Sequence, residues 1–138
     1  MEVYHGVLFD CDRRPFRSRE KLLGAFGEAA AADYLRKNRY EILAMNYRCR
    51  LGELDIIAKQ KDTYVFAEVK LRREGGYAAA SEAVTPAKQR RLQIAAETWL
   101  VENELEDVPC RFDVIEVYLE KNGGRIINLN HLEEAFSL

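Results

Sequence analysis

Long apolar runs, histidines and closely spaced cysteines are what this 138-residue sequence has least of. No stretch approaches the ~18 consecutive apolar residues of a membrane-spanning helix. The start, MEVYHGVLFDCDRR, has neither the basic head nor the long apolar segment of a secretory signal, so a cytoplasmic protein without membrane association is expected. Cys11, Cys49 and Cys110 are odd in number, far apart and free of CxxC spacing, which argues against a disulfide framework or a zinc knuckle. His5 and His131 are too few for a histidine-rich metal site. Any metal here would have to sit on oxygen ligands.

A strong basic excess is also missing. The net charge of −2 is unlike the basic footprint of most nucleic-acid binders, but the average hides an asymmetry. Residues 1–100 hold 18 Lys+Arg against 14 Asp+Glu, whereas residues 101–138 hold 3 against 9. The chain has the size of one domain, and 48% hydrophobic residues suffice for a real core.

Residues 1–19, with Arg13, Arg14, Arg17, Arg19 and Pro15, read as an N-terminal extension or arm, and residues 20–138 as the domain itself. From Ser18, a good N-cap, to Asn38 the recurrence of Leu22, Phe26, Ala29/Ala30 and Asp33/Tyr34 predicts a helix. YEILAMNYRCR, GELDIIA and DTYVFAEVKLRR then predict three strands, the last two joined by a polar turn. A loop containing Gly75-Gly76 and an alanine-rich stretch follows. Thr85-Pro86 opens a second helix as N-cap and first helical residue, with Leu92, Ala95, Ala96, Trp99 and Leu100 on its buried face. Lys88, Arg90 and Arg91 load its first turns with positive charge, against the helix dipole, which points to an anion nearby. RFDVIEVYLE, a turn at Asn122-Gly123-Gly124 and a short strand RIINL complete the order α-β-β-β-α-β-β. That order implies an α/β fold, a mixed sheet of about five strands flanked by helices, with a parallel pair across the second helix.

Period two in GELDIIA puts Glu53, Asp55 and Ile57 on one face and Leu54, Ile56 and Ala58 on the other. In TYVFAEVKL, Tyr64, Phe66, Glu68 and Lys70 share a face. Both faces of these strands are largely apolar, so they are expected to be central and covered, which leaves Glu68 and Lys70 charged where burial is expected. The plain account is ion pairing, Glu68 with Lys70, or Asp55 with Arg48 or Arg50. Against it, the hairpin brings Asp55 beside Glu68, and two carboxylates ~4 Å apart repel by about 4 kcal/mol at an effective dielectric of 20. One lysine cannot neutralise both. A divalent cation can, and oxygen ligands suit Mg²⁺ or Mn²⁺. Glu28 stands on the first helix among Gly24, Ala31, Ala32 and Leu35, a small apolar surface around a single acid, and is a candidate for the same site.

Asp55, then Glu68-Val69-Lys70 thirteen positions on, resembles the D-x(n)-(D/E)-x-K signature of the PD-(D/E)xK nuclease superfamily. LLGAFGEAAAADYL, NYRCRLGELDIIA, VFAEVKLRR, the Ala-Val-Thr-Pro-x-Lys segment and RFDVIEV together resemble the YraN family of bacterial predicted endonucleases, related in fold to archaeal Holliday-junction resolvases, over roughly residues 20–138. The resemblance implies a restriction-endonuclease-like core. It implies a Mg²⁺- or Mn²⁺-dependent endodeoxyribonuclease with Asp55, Glu68, Lys70 and Glu28 as catalytic groups. Asp55, Glu68, the Val69 carbonyl and Glu28 would serve the metal, and Lys70 would position the attacking water. DNA, with branched forms among the candidates, is the implied partner, contacted by Lys88, Arg72, Arg73, Arg90 and Arg91. Resolving a junction takes two paired cuts and hence a homodimer. Residues 1–19 and Leu71, where the family often has threonine, depart from the pattern. The competing expectation is a DNA-binding or protein-interaction module that keeps the fold without turnover.

Overall fold

The computed structural model describes residues 16–74 and 84–137. Residues 1–15 of the expected arm, and the Gly75-Gly76 loop with its alanines, lie outside the described residues. The elements are α1 (Phe16–Lys37), β1 (Glu41–Cys49), β2 (Gly52–Gln60), β3 (Thr63–Arg73), α2 (Pro86–Glu102), β4 (Cys110–Leu119) and β5 (Ile126–Phe136). This is the α-β-β-β-α-β-β order that the sequence predicts.

The strands form one mixed five-stranded sheet in the order β1-β2-β3-β4-β5. β1, β2 and β3 are an antiparallel meander, β3 and β4 run parallel across the α2 crossover, and β5 returns antiparallel to β4. β3 is therefore the central strand, as its two-faced apolar pattern requires. Its alternate residues feed two separate cores. Val65 and Ala67 join Ile56, Ala58, Ile115 and Val117 under the α1 residues Leu23, Ala30, Ala31 and Leu35. Phe66 joins Leu54, Ile57, Phe112 and Val114 under Leu92, Ala95, Ala96 and Trp99 of α2. Among the described residues no helix is long and apolar enough to cross a membrane.

Three local expectations change. α1 begins at Phe16, so Ser18 lies inside the helix rather than capping it, and residues 16–19 are its first turn. Its buried stripe is Leu23, Ala30, Ala31 and Leu35, while Leu22 is only half-buried and Ala29 exposed. β5 runs on to Phe136, well past the Leu129 expected from its apolar residues, because β4 pairs with it as far as Phe136. The start of α2 is as expected: Thr85 Oγ1 accepts the Lys88 amide N–H at 3.2 Å and Pro86 takes the first helical position.

Candidate active site

Asp55 sits where β2 leaves β3. The β2–β3 ladder pairs Ile56 with Ala67 and goes no further toward Asp55. In place of a ladder bond, the Val69 amide N–H donates to Asp55 Oδ2 at 2.8 Å. On the other side of β2, Asp55 falls between the pairs Met45↔Ile56 and Tyr47↔Leu54 of β1, level with Asn46, whose φ of 53° is left-handed. Asparagine tolerates that conformation better than most residues. The break turns the strand over: Leu54 packs with Ile57 in the α2 core and Ile56 with Ala58 in the α1 core. The expected grouping of Leu54 with Ile56 and Ala58 is thus overturned, since period two holds only while both ladders are continuous.

The splayed strands open a cleft of ≈ 250 Å³ that both helices reach. Gly24 and Glu28 line it from α1, Lys88 and Leu92 from α2, and Glu53, Asp55, Glu68, Val69 and Leu71 from the sheet. Three expected acids, Glu28, Asp55 and Glu68, are therefore gathered around one cavity. The fourth group, Lys70, is not in its lining but stands on the Glu68 side of β3, with Nζ 3.8 Å from Glu68 Oε1. The side chain of Lys88 lies closer, in direct ionic contact with the same oxygen. The anion that the cationic start of α2 calls for is, in this structure, the protein's own Glu68.

Electrostatically the cleft is unfavourable to its acids. Glu68 is 5% exposed, and its Oε2 is buried without a hydrogen-bond partner, as is Oε2 of Glu28. Burial pushes the Asp55 carboxyl above its ordinary range, with repulsion from Glu68 adding to it and the Val69 N–H only partly compensating. Burial, then Asp55, raises Glu28 in the same way, while a hydrogen bond from the Asn46 side chain pulls it back. Among the described residues no three His, Cys, Asp or Glu groups are drawn together tightly enough to hold a metal as they stand. The all-oxygen donor set, two orphaned carboxylate oxygens and mutual repulsion nevertheless match a hard divalent cation.

The remaining expected contacts divide. Arg90 and Arg91 line a second groove of ≈ 710 Å³ with Arg50, Leu51 and Gly52, and this groove shares Glu53, Lys88 and Leu92 with the cleft. Arg72 and Arg73 are engaged elsewhere: Arg72 Nε donates to Glu116 Oε2 at 3.3 Å, and Arg73 to the carbonyls of Glu120 and Gly123. They brace the β4–β5 hairpin. Neither Arg48 nor Arg50 pairs with Asp55, and Arg48 reaches Glu53 instead, at 3.6 Å on the exposed surface. Asn46, Glu53 and the groove residue Arg50 were not anticipated in these roles. An asparagine in an otherwise β-prone run, level with the motif aspartate, is the one sequence signal for the break.

A family model described as "Uncharacterised protein family UPF0102" matches residues 27–117, a span that holds Glu28, Asp55, Glu68, Lys70 and Lys88. The chain is 47% identical over 119 residues to the UPF0102 protein of Geobacter sulfurreducens, covering 86% of this chain and 91% of that one. It is 45% identical over 111 residues to that of Acetivibrio thermocellus, covering 80% and 85%, and 44% identical over 118 residues to that of Geobacter metallireducens, covering 86% and 94%. With the motif residues inside the matched span and the α-β-β-β-α-β-β fold around them, the chain belongs to the UPF0102, or YraN, family.

Proposed function

We propose that this protein is a metal-dependent endonuclease acting on phosphodiester bonds in DNA, with branched or junction DNA among its substrates, and that the Glu28–Asp55–Glu68 cleft is its active site. The observation that carries this reading is the pair of buried, partnerless oxygens, Glu28 Oε2 and Glu68 Oε2, on two acids that line one cleft with Asp55. A buried acceptor left unpaired costs on the order of 1–3 kcal/mol, more when charged, and a bound cation would satisfy both. Asp55, Glu68 and the Val69 carbonyl would hold Mg²⁺ or Mn²⁺, with Glu28 acting through water. Bound there, the ion supplies polarisation of a phosphoryl oxygen and a lowered water pKa.

The chain's own groups supply the rest. Lys70, beside Glu68, orients the attacking water and offsets negative charge that builds on the phosphoryl oxygens in the transition state. Lys88, Arg90 and Arg91 hold the DNA backbone through its phosphates. Arg72 and Arg73 are left out of that role because both already have partners on the β4–β5 hairpin. A second reading, a DNA-binding module without turnover, draws on the Lys88 ammonium lying on Glu68.

The test is incubation with four-way, nicked and linear DNA in Mg²⁺ or Mn²⁺, with Asp55→Ala and Lys70→Ala alongside. Cleavage by the natural chain that both substitutions abolish is the expected result. Cleavage that survives both would remove these residues from the site, and DNA binding without any cleavage would leave the module.

A further inference from the structure

Lys88 belongs to two cavities at once. It lines the acid cleft, where its ammonium rests on Glu68, and it lines the neighbouring groove with Arg50, Arg90 and Arg91. Those three arginines are acceptor-seeking: each is exposed, and none has an ion-pair partner among the described residues. Among the described residues the one acid in the groove lining, Glu53, is paired with Arg48. The groove wall is also fixed in place. A Cβ on Gly52 would lie 2.2 Å from the carbonyl oxygen of Arg91, so the β1–β2 turn is seated directly on the backbone of α2. A trough of unpaired arginines, lined also by the exposed Leu51 and Ile94, has the chemistry to take a polyanionic strand.

Both ammonium groups, of Lys88 in the cleft and of Lys70 beside it, converge on one oxygen of Glu68, while the other oxygen is buried and unpartnered. Lys88 is the more exposed member of the pair, its side chain 44% exposed against 22% for Lys70. A cation bound to the unpartnered oxygen would share the Glu68 carboxylate with the Lys88 ammonium and be repelled by it.

We propose that the groove between the β1–β2 turn and the start of α2 binds a single phosphodiester strand, and that Lys88 couples this groove to the cleft: its ammonium stands in for the divalent cation on Glu68 until a phosphate draws it away. The inference rests on the reading of the cleft as a divalent-cation site. Linkage makes the effect reciprocal: a strand that takes Lys88 tightens cation binding by the factor by which the cation tightens strand binding. The free protein thereby binds its cation more weakly than the protein with a substrate in place.

The experiment is calorimetric titration of Mn²⁺ into the full chain, with and without a saturating phosphorothioate DNA dodecamer, the heat of Mn²⁺ with the dodecamer alone being subtracted. The same titrations are run on Lys88→Met and on the triple variant Arg50→Ala/Arg90→Ala/Arg91→Ala, all at solvent-accessible positions. The dodecamer should tighten Mn²⁺ binding about tenfold in the natural chain, a coupling of ordinary size. In Lys88→Met, Mn²⁺ alone should bind more tightly and the dodecamer should add little. The triple variant should lose dodecamer binding while keeping its Mn²⁺ affinity in the absence of DNA. The same tightening in Lys88→Met as in the natural chain, or full dodecamer affinity in the triple variant, overturns the coupling or the groove while leaving the cleft reading intact. No Mn²⁺ binding by either the natural chain or Lys88→Met overturns the cleft reading and the coupling with it.

Discussion

Asp55 pays for its position. Its folded pKa is raised by burial and then by Glu68, so the folded state holds the Asp55 proton more tightly than the unfolded chain does. Its contribution to stability is therefore lost as pH rises from the ordinary aspartate value of ~3.9 through the raised one, and the penalty persists at neutral pH. Asp55→Asn keeps an oxygen for the Val69 N–H and removes the repelled charge. Thermal unfolding followed by circular dichroism should show Tm at pH 7 raised by about 2–4 °C, the response of a domain of this size to ~1 kcal/mol. The gain should shrink toward pH 4, and a pH-independent gain would put its origin elsewhere. Mn²⁺ should raise the Tm of the natural chain but not of the variant. At this scale Asp55 and Glu68 were legible, because charged residues in apolar strands stand out, whereas Glu28 stood out only as a single acid among small residues of a helix. Their neighbour Lys88 was legible as a cation seeking an anion, but the anion was not, since the 19 residues between Glu68 and Lys88 carry no information about their distance in space.

At the scale of elements, the site is built where the alternation of β2 fails and where a turn meets a helix. β2 turns over at Asp55 because β1 carries a left-handed Asn46 level with it and the β2–β3 ladder stops at Ile56. Alternation read along one strand cannot register an interruption set by its neighbours. The β1–β2 turn then meets α2 so closely that only glycine fits at position 52, where the obstructing atom is the backbone oxygen of Arg91 and cannot rotate aside. Gly52→Ala should destabilise by about 1–3 kcal/mol through overpacking, measured by urea unfolding, and should weaken DNA binding by moving the groove wall. A variant as stable as the natural chain would mean that the turn is free to lift from the helix. β5 is the converse case. Its second half, NHLEEAF, lacks β-branched residues and was not legible as a strand, yet it is held by pairing with β4 and by the Glu134 amide N–H donating to Asp113 Oδ1 at 3.1 Å.

For the molecule as a whole, two acids of the acidic segment 101–138 are drawn into ion pairs within the fold. Glu116 is spent on Arg72, and Asp113, with 1% of its surface exposed, anchors a network behind the α1 core. Arg111 grips both Asp113 oxygens at 2.8 Å, His131 Nε2 lies 2.6 Å from Oδ2, and the chain of contacts continues to Tyr34 and Tyr40. These ties join α1, the entry to β1, β4 and β5. Burial alone would raise Asp113, but the hydrogen bonds from His131, Arg111 and the Glu134 N–H outweigh it and hold the carboxyl below its ordinary range. Its stabilisation is then fully present above ~3.9 and lost as pH falls through the depressed folded value. Asp113→Asn should cost about 3–5 kcal/mol at pH 7, as breaking a buried ion pair does, with the deficit narrowing below pH 4 in urea titrations. An unaffected variant would show that the network contributes nothing to stability. What the sequence by itself determined is the element order, the central place of β3, the cap of α2 and which strand residues carry charge among apolar neighbours. Each follows from local rules: periodicity, capping chemistry, or the cost of a charge in an apolar strand. Which charges meet was decided only by the tertiary structure. The pairing of Lys88 with Glu68, the turnover at Asp55 and the burial of Asp113 depend on strands and helices remote in sequence arriving at one point, and Coulomb and hydrogen-bond energies depend on distance in space, not on separation along the chain.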